Sequence, residues 1–299
     1  MLFSCEGITK CYNREPVVED INLELFQGGF VSLLGPSGVG KTTLFNVLSG
    51  VDRPEAGRVL LAGEDITGIS GRVSYMLQKD LLLHHRTVLD NVILPLVIRG
   101  MNKGKAREYA APFFPRFGLG GYENKYPREL SGGMRQRAAL LRTCMPRTFG
   151  SHTFGQQNPV ILLDEPFSAL DALTRITMQN WYQGIAAEMG LSTLFITHDV
   201  EEAVSLSDRV YVMKGKPGRI TECIDILPPR PRSRDFPISP EFARFKRTIL
   251  EAIGLEFTGG TTKKIGRIST APSDRGEPSR EWTAVASLTQ GLGSGMIHQ

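Results

Sequence analysis

The sequence predicts an α/β protein in which helices cover both faces of a mostly parallel β-sheet. Residues 30–34 and 160–163 are short, almost continuous apolar runs, as in strands that are buried on both faces. The first run leads directly into a glycine-rich turn and a helix. The second begins a series in which strands alternate with helices, and such alternation requires crossover connections between parallel strands.

The N-terminal part of the chain has the pattern of strands. Residues 16–26 alternate between apolar and polar side chains and end at a pair of glycines, which is typical of a half-buried strand. The apolar run at 30–34 precedes a helix over 41–49 that a glycine ends. A hairpin-like stretch follows around 58–62.

The middle of the chain, from about residue 81 to 146, is predicted to be helical. Helices are expected near 88–99, 105–117 and 133–144, with glycine and proline between them. Residues 146–159 show no periodicity, and we expect them to form an exposed loop.

A second α/β stretch begins with the strand at 160–163. After residue 228 the chain is rich in proline and arginine, and one amphipathic helix is expected near 239–253. From about residue 258 the sequence has no period, and we expect a disordered tail. The other elements predicted in this stretch are helices near 170–189 and 200–206 and strands near 192–197, 209–213 and 220–226.

The composition excludes several classes of protein. With 41% hydrophobic and 22% charged residues it is that of a globular protein, neither disordered nor fibrous. The net charge of +4 comes from scattered basic residues, so the sequence predicts no nucleic-acid surface. Cys5, Cys11, Cys144 and Cys223 stand alone, which favours reduced thiols over a disulfide framework or a zinc site. The longest apolar run, around 88–98, is too short for a membrane-spanning helix.

The segment GPSGVGKTT matches the phosphate-binding pattern G-x-x-x-x-G-K-[ST]. Its glycines let successive backbone N–H groups point at phosphate oxygens, and the helix that follows adds its positive end. Lys41 is predicted to neutralise the β and γ phosphates, and the Thr42 hydroxyl to bind Mg²⁺. Because the segment lies between an apolar strand and a helix, we interpret it as a nucleotide site. The predicted nucleotide-binding residues here are Gly35, Pro36, Ser37, Gly38, Gly40, Lys41, Thr42 and Thr43.

Two acidic residues, Asp164 and Glu165, follow the second apolar strand in the segment VILLDEP. They are expected at the carboxyl edge of the sheet, where α/β proteins bind ligands. One carboxylate can hold Mg²⁺, and the next can accept a proton from the attacking water or orient it. Acids often cap helices after strands, so the pair is weak evidence alone. Together with the phosphate loop it predicts ATP hydrolysis.

A third motif, LSGGMRQR, places Ser131, Gly132 and Gly133 at the start of a helix. Exposed N–H groups and a hydroxyl there can bind an anion. Alone, the pattern is most simply a helix N-cap. A second phosphate-binding helix end in one ATPase is redundant unless it serves a nucleotide held by another copy of the chain.

In this order the three motifs resemble those of the ATP-binding subunit of an ABC transporter, over about residues 4–226. The resemblance implies a P-loop NTPase (RecA-like) core, an N-terminal antiparallel β subdomain and an inserted helical subdomain at about 81–146. The cassette is expected to occupy residues 1–227. A C-terminal helical extension would follow over 228–257, and the disordered tail over 258–299.

The resemblance assigns roles to residues outside these motifs. Tyr12 matches the aromatic residue that stacks on adenine; without the resemblance it is an ordinary tyrosine at a strand end. Gln78, in YMLQKD, matches the glutamine that contacts Mg²⁺ or water and responds to the membrane partner. Asp171 ends the segment SALD, which matches the loop that meets the opposite subunit, and it is placed among the nucleotide-binding residues on that basis.

The resemblance also implies a catalytic set and a metal site. Glu165 would be the general base, aided by Gln78 and by His198, which matches the histidine that contacts the γ-phosphate. Without the resemblance, His198 could be a helix-capping residue. The Mg²⁺ ligands would be Thr42, Gln78 and Asp164.

The implied mechanism is an ATP sandwich with ATP and Mg²⁺ as cofactors. Two copies of the chain pack head to tail, so Ser131 and Gly133 of one copy face the nucleotide bound at Lys41 of the other. The implied partners are this second copy, an integral-membrane permease and, indirectly, a solute-binding protein, with no nucleic acid. The resemblance places the protein on the cytoplasmic face of the inner membrane as a peripheral subunit.

Flanking segments indicate a subgroup. DEPFSALDALTRITMQ, ITHDVEEAVSLSDRVYVM and KPGRI resemble the nitrate, sulfonate and taurine importers, whereas YMLQKDLLL and LSGGMRQRAALLRT resemble members that handle pyrimidine precursors of thiamine. A small anionic or nitrogen- or sulfur-containing solute is therefore expected. The loop at 146–159 and the tail depart from the group by their length. His84 and His85 stand where it often has proline and tryptophan, near the expected partner groove.

Other functions compatible with a phosphate loop fit less well. A soluble ABC-type ATPase of DNA repair or translation would carry zinc modules, coiled coils or a second cassette, and none is visible here. An exporter ATPase is often fused to membrane spans, although free-standing ones exist. A metabolite kinase would leave LSGGMRQR and His198 unexplained. An inactive cassette is disfavoured because the four expected site residues are all present: Lys41, Asp164, Glu165 and His198.

Overall fold

Two β-sheets form the framework of the described chain, which comprises residues 1–148, 160–230, 232–233 and 235–255 of a computed structural model. The strands are β1 (Phe3–Tyr12), β2 (Glu15–Leu25), β3 (Phe30–Leu34), β4 (Ala56–Leu61), β5 (Glu64–Asp65), β6 (Ser74–Met76), β7 (Val160–Asp164), β8 (Ser192–Thr197), β9 (Arg209–Lys214) and β10 (Arg219–Asp225). The helices are α1 (Lys41–Leu48), α2 (Val88–Val92), α3 (Leu94–Ile98), α4 (Lys103–Ala110), α5 (Phe113–Arg116), α6 (Gly132–Thr148), α7 (Ala172–Glu188), α8 (Val200–Leu206) and α9 (Pro240–Ile253). Short 3₁₀ turns span Pro127–Glu129 and Phe236–Ile238.

The larger sheet has the strand order β10-β9-β3-β8-β7-β6 and is parallel except for β10. Every residue of β3, β7 and β8 is buried, as the continuous apolar runs predict. Along β7, Ile161 and Leu163 belong to one apolar core and Val160 and Leu162 to another. Two cores flank the sheet because successive side chains of a strand point to opposite faces. The predicted α/β class is confirmed.

The smaller sheet is antiparallel, with the order β2-β1-β4-β5. Phe45 and Leu48 of α1 are fully buried in the same core as Ile8 of β1 and Leu23 of β2. The helix after the phosphate loop is therefore packed between the two sheets. This confirms the predicted N-terminal antiparallel β subdomain.

The helical region between β6 and β7 consists of shorter helices than expected. The helix predicted at 88–99 is divided into α2 and α3, with Pro95 in the first turn of α3. The helix predicted at 105–117 is divided into α4 and α5 at Pro112. Proline lacks the backbone N–H group that would continue the helical hydrogen bonds, so each break follows from the local sequence.

Helix α6 extends further than expected, through Pro146 to Thr148. The first three residues of the loop predicted at 146–159 are therefore helical, and that part of the prediction is wrong. One proline removes a single backbone hydrogen bond, and α6 is otherwise held by its buried residues, such as Leu140 and Leu141. The rest of the loop, 149–159, lies outside the described residues.

Helix α9 forms the last described element. The Ser239 hydroxyl accepts a hydrogen bond from the Phe242 backbone N–H at its start, and Gly254 ends it with a left-handed backbone (φ +106°). Phe242 and Ile249 are buried with residues of α8 and β9, so the predicted helical extension packs on the cassette. The tail predicted at 258–299 lies outside the described residues.

Candidate functional site

The phosphate loop connects the carboxyl end of β3 to α1 with a backbone that only glycine fits. Gly38 and Gly40 have positive φ angles of 77° and 105°. A Cβ at Gly40 would lie 2.5 Å from Val18 Cγ1, and one at Gly35 would lie 2.5 Å from the Met213 carbonyl oxygen. The loop therefore packs closely against Val18 and Met213. Pro36, Ser37 and Gly38 of the loop are exposed and accessible to a ligand.

Lys41 is buried beneath this loop, with 7% of its surface exposed. Its Nζ donates hydrogen bonds to the carbonyl oxygens of Gly35 at 2.8 Å and Pro36 at 3.0 Å. Burial lowers the pKa of Lys41, and the nearby charges of Glu165 and Asp164 oppose that effect. An ammonium group in this position is suited to bind a polyphosphate.

Asp164, at the end of β7, is 4% exposed and contacts the first turn of α1. The Thr42 hydroxyl donates a hydrogen bond to Asp164 Oδ2 at 2.9 Å. Burial raises the pKa of Asp164, and the hydrogen bond from Thr42 opposes this rise. A hydroxyl and a carboxylate side by side are the hard oxygen donors that Mg²⁺ prefers, so these two predicted ligands fit that ion.

Glu165, Gln78 and His198 form one cluster at the same edge of the sheet. The distance from His198 Nδ1 to Glu165 Oε1 is 3.1 Å, and Gln78 Nε2 donates to Glu165 Oε2 at 3.3 Å. The three residues follow β7, β6 and β8, which are adjacent, so their carboxyl ends meet at one edge. The three residues predicted to act in catalysis are thus brought together.

The backbone of Glu165 is in the left-handed region, with φ +46°. For a residue with a side chain this conformation costs roughly 1–2 kcal/mol. It is held by the Glu165 N–H, which donates to the Ile196 carbonyl oxygen at 3.0 Å. Strain of this kind commonly occurs at functional sites, and here it fixes the direction of the carboxylate between Gln78 and His198.

The third motif lies at the start of α6 and beside α7. The Ser131 hydroxyl accepts a hydrogen bond from the Met134 backbone N–H at 3.3 Å, so it is an N-cap. A Cβ at Gly133 would lie 3.3 Å from Thr174 Cγ2. Ser131 and Gly132 are exposed. The motif is therefore both a structural cap and a helix N-terminus open to solvent.

Asp171 caps the start of α7 by accepting a hydrogen bond from the Thr174 backbone N–H at 3.1 Å. One turn later Arg175 makes a link that the sequence analysis missed. Its Nη2 donates to the Leu170 carbonyl oxygen at 3.1 Å, and its Nη1 lies 3.4 Å from Asp199 Oδ2. Arg175 thus joins the segment SALD to the residue after His198. An arginine near a helix start has no local signal that would predict this role.

The buried carboxyl group of Glu202 contacts Thr197, the residue before His198. Glu202 accepts hydrogen bonds from Thr197 Oγ1 at 2.6 Å and from Gln179 Nε2 at 2.7 Å. Burial raises the pKa of Glu202, and these two hydrogen bonds oppose the rise. Glu202 was also missed, because an acid in the first turn of a helix is ordinarily an exposed one.

Tyr12 lies at the end of β1, with 44% of its surface exposed. The same antiparallel sheet contacts the phosphate loop, since Val17 and Val18 of β2 are the nearest neighbours of Gly40. Tyr12 and the residues that contact the phosphate loop therefore belong to the same antiparallel sheet.

None of the described helices is both long and apolar enough to cross a membrane.

Comparison with known proteins gives consistent results. A family profile described as "ABC transporter" matches residues 18–168. The chain is 40% identical to an uncharacterized ABC transporter ATP-binding protein of Methanocaldococcus jannaschii, over 83% of this chain and 90% of the relative. It is 41% identical to the formylaminopyrimidine import ATP-binding protein ThiZ of Halalkalibacterium halodurans, over 72% and 81%. It is 34% identical to an aliphatic sulfonates import ATP-binding protein SsuB of Bacillus cereus, over 84% and 95%.

Solved structures show the same architecture. A dimeric bacterial ABC transporter cassette matches with a TM-score of 0.63 and 25% identity, over 76% of this chain and all of that chain. A dimeric post-hydrolysis state of an ATP-binding cassette, bound to ADP and Pi, matches with a TM-score of 0.62 and 25% identity over the same shares.

Proposed function

The chain belongs to the ABC transporter family as an ATP-binding subunit with ATPase activity, and we propose that it powers the import of a small solute through a separate membrane permease. One observation carries the mechanistic part: Glu165 lies between Gln78 and His198, at the sheet edge where Asp164 contacts Thr42. The import direction is supported by the relatives whose names describe import of formylaminopyrimidine and of aliphatic sulfonates.

The phosphate loop and Lys41 would bind the phosphates of ATP, and Tyr12 would stack on its adenine. Thr42, Asp164 and Gln78 would hold Mg²⁺, which when bound neutralises charge on the β and γ phosphates. The adjacent hydroxyl and carboxylate of Thr42 and Asp164 support this assignment.

Glu165 would accept the proton of the attacking water. Its carboxylate is suited to this role because its backbone is fixed and its two oxygens contact different partners. His198 would orient that carboxylate and contact the γ-phosphate. Its side chain is 58% exposed, so it is accessible to a ligand above the sheet.

The working form would be a head-to-tail homodimer, in which Ser131, Gly132 and Gly133 of one copy meet the nucleotide of the other. The exposed N-terminus of α6 supports this proposal. Asp171, exposed at the start of α7, would lie at the same interface. The dimeric forms of the matched cassettes agree with it.

Mixing two inactive variants tests the head-to-tail arrangement. Lys41→Ala and Ser131→Arg should each abolish ATPase activity alone, because each spoils both sites of a homodimer. Random pairing of equal amounts makes about half of the dimers mixed, and each mixed dimer keeps one complete site. We expect the mixture to regain up to about a quarter of the unmodified activity, measured as phosphate release.

The control mixes Lys41→Ala with Thr42→Ala, a second variant of the phosphate loop that we expect to be inactive. A dimer of these two chains has a defective phosphate loop in both sites, so the mixture should regain no activity. Activity that stays absent in the Lys41→Ala and Ser131→Arg mixture, while successive capture on two different affinity tags recovers mixed dimers, would contradict the arrangement.

The proposed partners are an integral-membrane permease and, through it, a solute-binding protein, with the ATPase bound at the cytoplasmic face of the inner membrane. The cargo would be a small anionic or nitrogen- or sulfur-containing compound. To test this, the tagged protein is captured from gently solubilised membranes and copurifying proteins are identified by mass spectrometry. A multi-span permease in roughly equal amount is the expected result. Recovery only with DNA or ribosomes would overturn the importer proposal.

A further inference from the structure

The exposed ring of Tyr12 is tied to the helix that follows the phosphate loop. Tyr12 Oη donates a hydrogen bond to Asp52 Oδ2 at 2.7 Å. Asp52 in turn is fixed by its backbone N–H, which donates to the carbonyl oxygen of Asn46 in α1 at 3.0 Å. The tyrosine and the phosphate loop are thus attached to the same helix, one near each end.

A buried lysine completes this attachment. The Lys10 side chain is 8% exposed, and its Nζ lies 3.0 Å from Asp52 Oδ1 and 3.2 Å from Glu55 Oε1. It also donates to the Arg53 carbonyl oxygen at 2.7 Å. The hydrogen bond from Tyr12, with those from Lys10, lowers the pKa of Asp52, so this carboxyl group is ionised at neutral pH.

The same ammonium group covers one side of the tyrosine. Lys10 Nζ lies 5.1 Å from the centroid of the Tyr12 ring, within the range of a cation–π contact. The hydrogen bond to Asp52 raises the pKa of Tyr12, so the phenol stays protonated and continues to donate. One ring face is occupied, and the 44% exposure of Tyr12 leaves the remainder accessible.

We propose that Lys10 and Asp52 are positioning residues that hold the Tyr12 ring for the adenine base, which stacks on the ring face opposite Lys10. This rests on the proposed function, in which Tyr12 binds adenine. A tyrosine fixed in advance loses less conformational freedom when the base binds. In the described chain, the side chains of Lys10 and Asp52 bond to each other and to Tyr12, Glu55 and the Arg53 backbone, with no bond to a phosphate-loop residue. They would therefore act on the base half of ATP alone.

The test compares a ligand that has a base with one that lacks it. Asp52→Ala and Lys10→Met should each raise the KM for ATP about 3- to 10-fold, the effect of immobilising one side chain on binding, with kcat within about 2-fold. Inhibition by inorganic tripolyphosphate, which has no base, should keep its unmodified inhibition constant. Tyr12→Phe, which keeps the ring and removes the hydroxyl, should match Asp52→Ala.

Glu6→Gln is the matched control, since Glu6 makes an exposed ion pair with Arg58 on the same sheet, and it should leave both constants unchanged. Lys10→Arg should restore part of the ATP affinity that Lys10→Met loses. If Lys10→Met does not fold, as judged by circular dichroism, Asp52→Ala and Tyr12→Phe decide the question.

Two negative results are distinguishable. Equal weakening of ATP and tripolyphosphate would mean that the cluster only stabilises the fold, and it would overturn the proposal. Normal ATP affinity in Asp52→Ala and Tyr12→Phe, with weak ATP binding in Tyr12→Ala, would overturn it as well while leaving the adenine contact intact. Normal ATP affinity in Tyr12→Ala would instead remove the adenine contact, without affecting the assignment of Lys41 or Glu165.

Discussion

Replacing Glu165 with glutamine should lower the ATPase rate by about 10³-fold, within the range for loss of a general base, while ATP affinity stays close to that of the unmodified chain. Glutamine has nearly the same shape and can still occupy the position between Gln78 and His198, but its amide does not accept a proton from water. The rate is measured as single-turnover phosphate release, and affinity by titration with a fluorescent ATP analogue.

The same variant should accumulate as an ATP-bound dimer, since hydrolysis would no longer release it. Glu201→Gln is a matched control, because Glu201 is an exposed carboxylate on α8 that pairs with Lys246 outside the cluster. Near-normal turnover in Glu165→Gln would refute the assignment of the base, and the same loss in Glu201→Gln would point to a general effect of charge.

Replacing Lys41 with alanine should weaken ATP binding by about 10²- to 10⁴-fold. Hydrogen bonds between an ammonium group and a phosphate contribute about 1.5–3 kcal/mol each, and two such bonds correspond to that loss. The variant also leaves the carbonyl oxygens of Gly35 and Pro36 without their donor. Equilibrium titration with ATP, with no turnover needed, measures the effect directly.

Lys79→Ala serves as the control for removing a positive charge, because Lys79 is exposed in the segment after β6. Its ATP affinity should stay within about 2-fold of the unmodified value, as expected for a surface substitution. Unchanged ATP affinity in Lys41→Ala would contradict the assignment of this loop as the site that binds the polyphosphate.

Much of the fold was predictable because its strongest signals are local. The apolar runs at 30–34 and 160–163 correspond to β3 and β7. A strand that is buried on both faces needs apolar side chains at nearly every position, so such a run indicates it directly. The helical region was predicted less well. Its predicted helices are interrupted near Pro95 and Pro112, where a backbone N–H group is missing although the apolar pattern continues.

The site residues likewise divide into those that a local sequence motif predicts and those that it does not. The phosphate loop and the acidic pair are contiguous motifs, so their chemistry could be inferred from their residues. The roles of Tyr12, Gln78 and His198 came only from the resemblance to a family. The links made by Arg175 to Asp199 and by Tyr12 to Asp52 span 24 and 40 residues, and no local pattern encodes them.

The order of strands in the larger sheet affects how the chain folds. The phosphate loop, Glu165 and His198 follow β3, β7 and β8, which are neighbours in space but are separated by long stretches of sequence. Parallel pairings of such high contact order form late, after the entropy of closing long loops has been lost. A chain in which these strands are not yet paired would lack a complete nucleotide site, so we expect ATP to bind only the finished sheet. Mass action then makes ATP a stabiliser of the native state, with a gain in unfolding free energy that grows with the logarithm of its concentration.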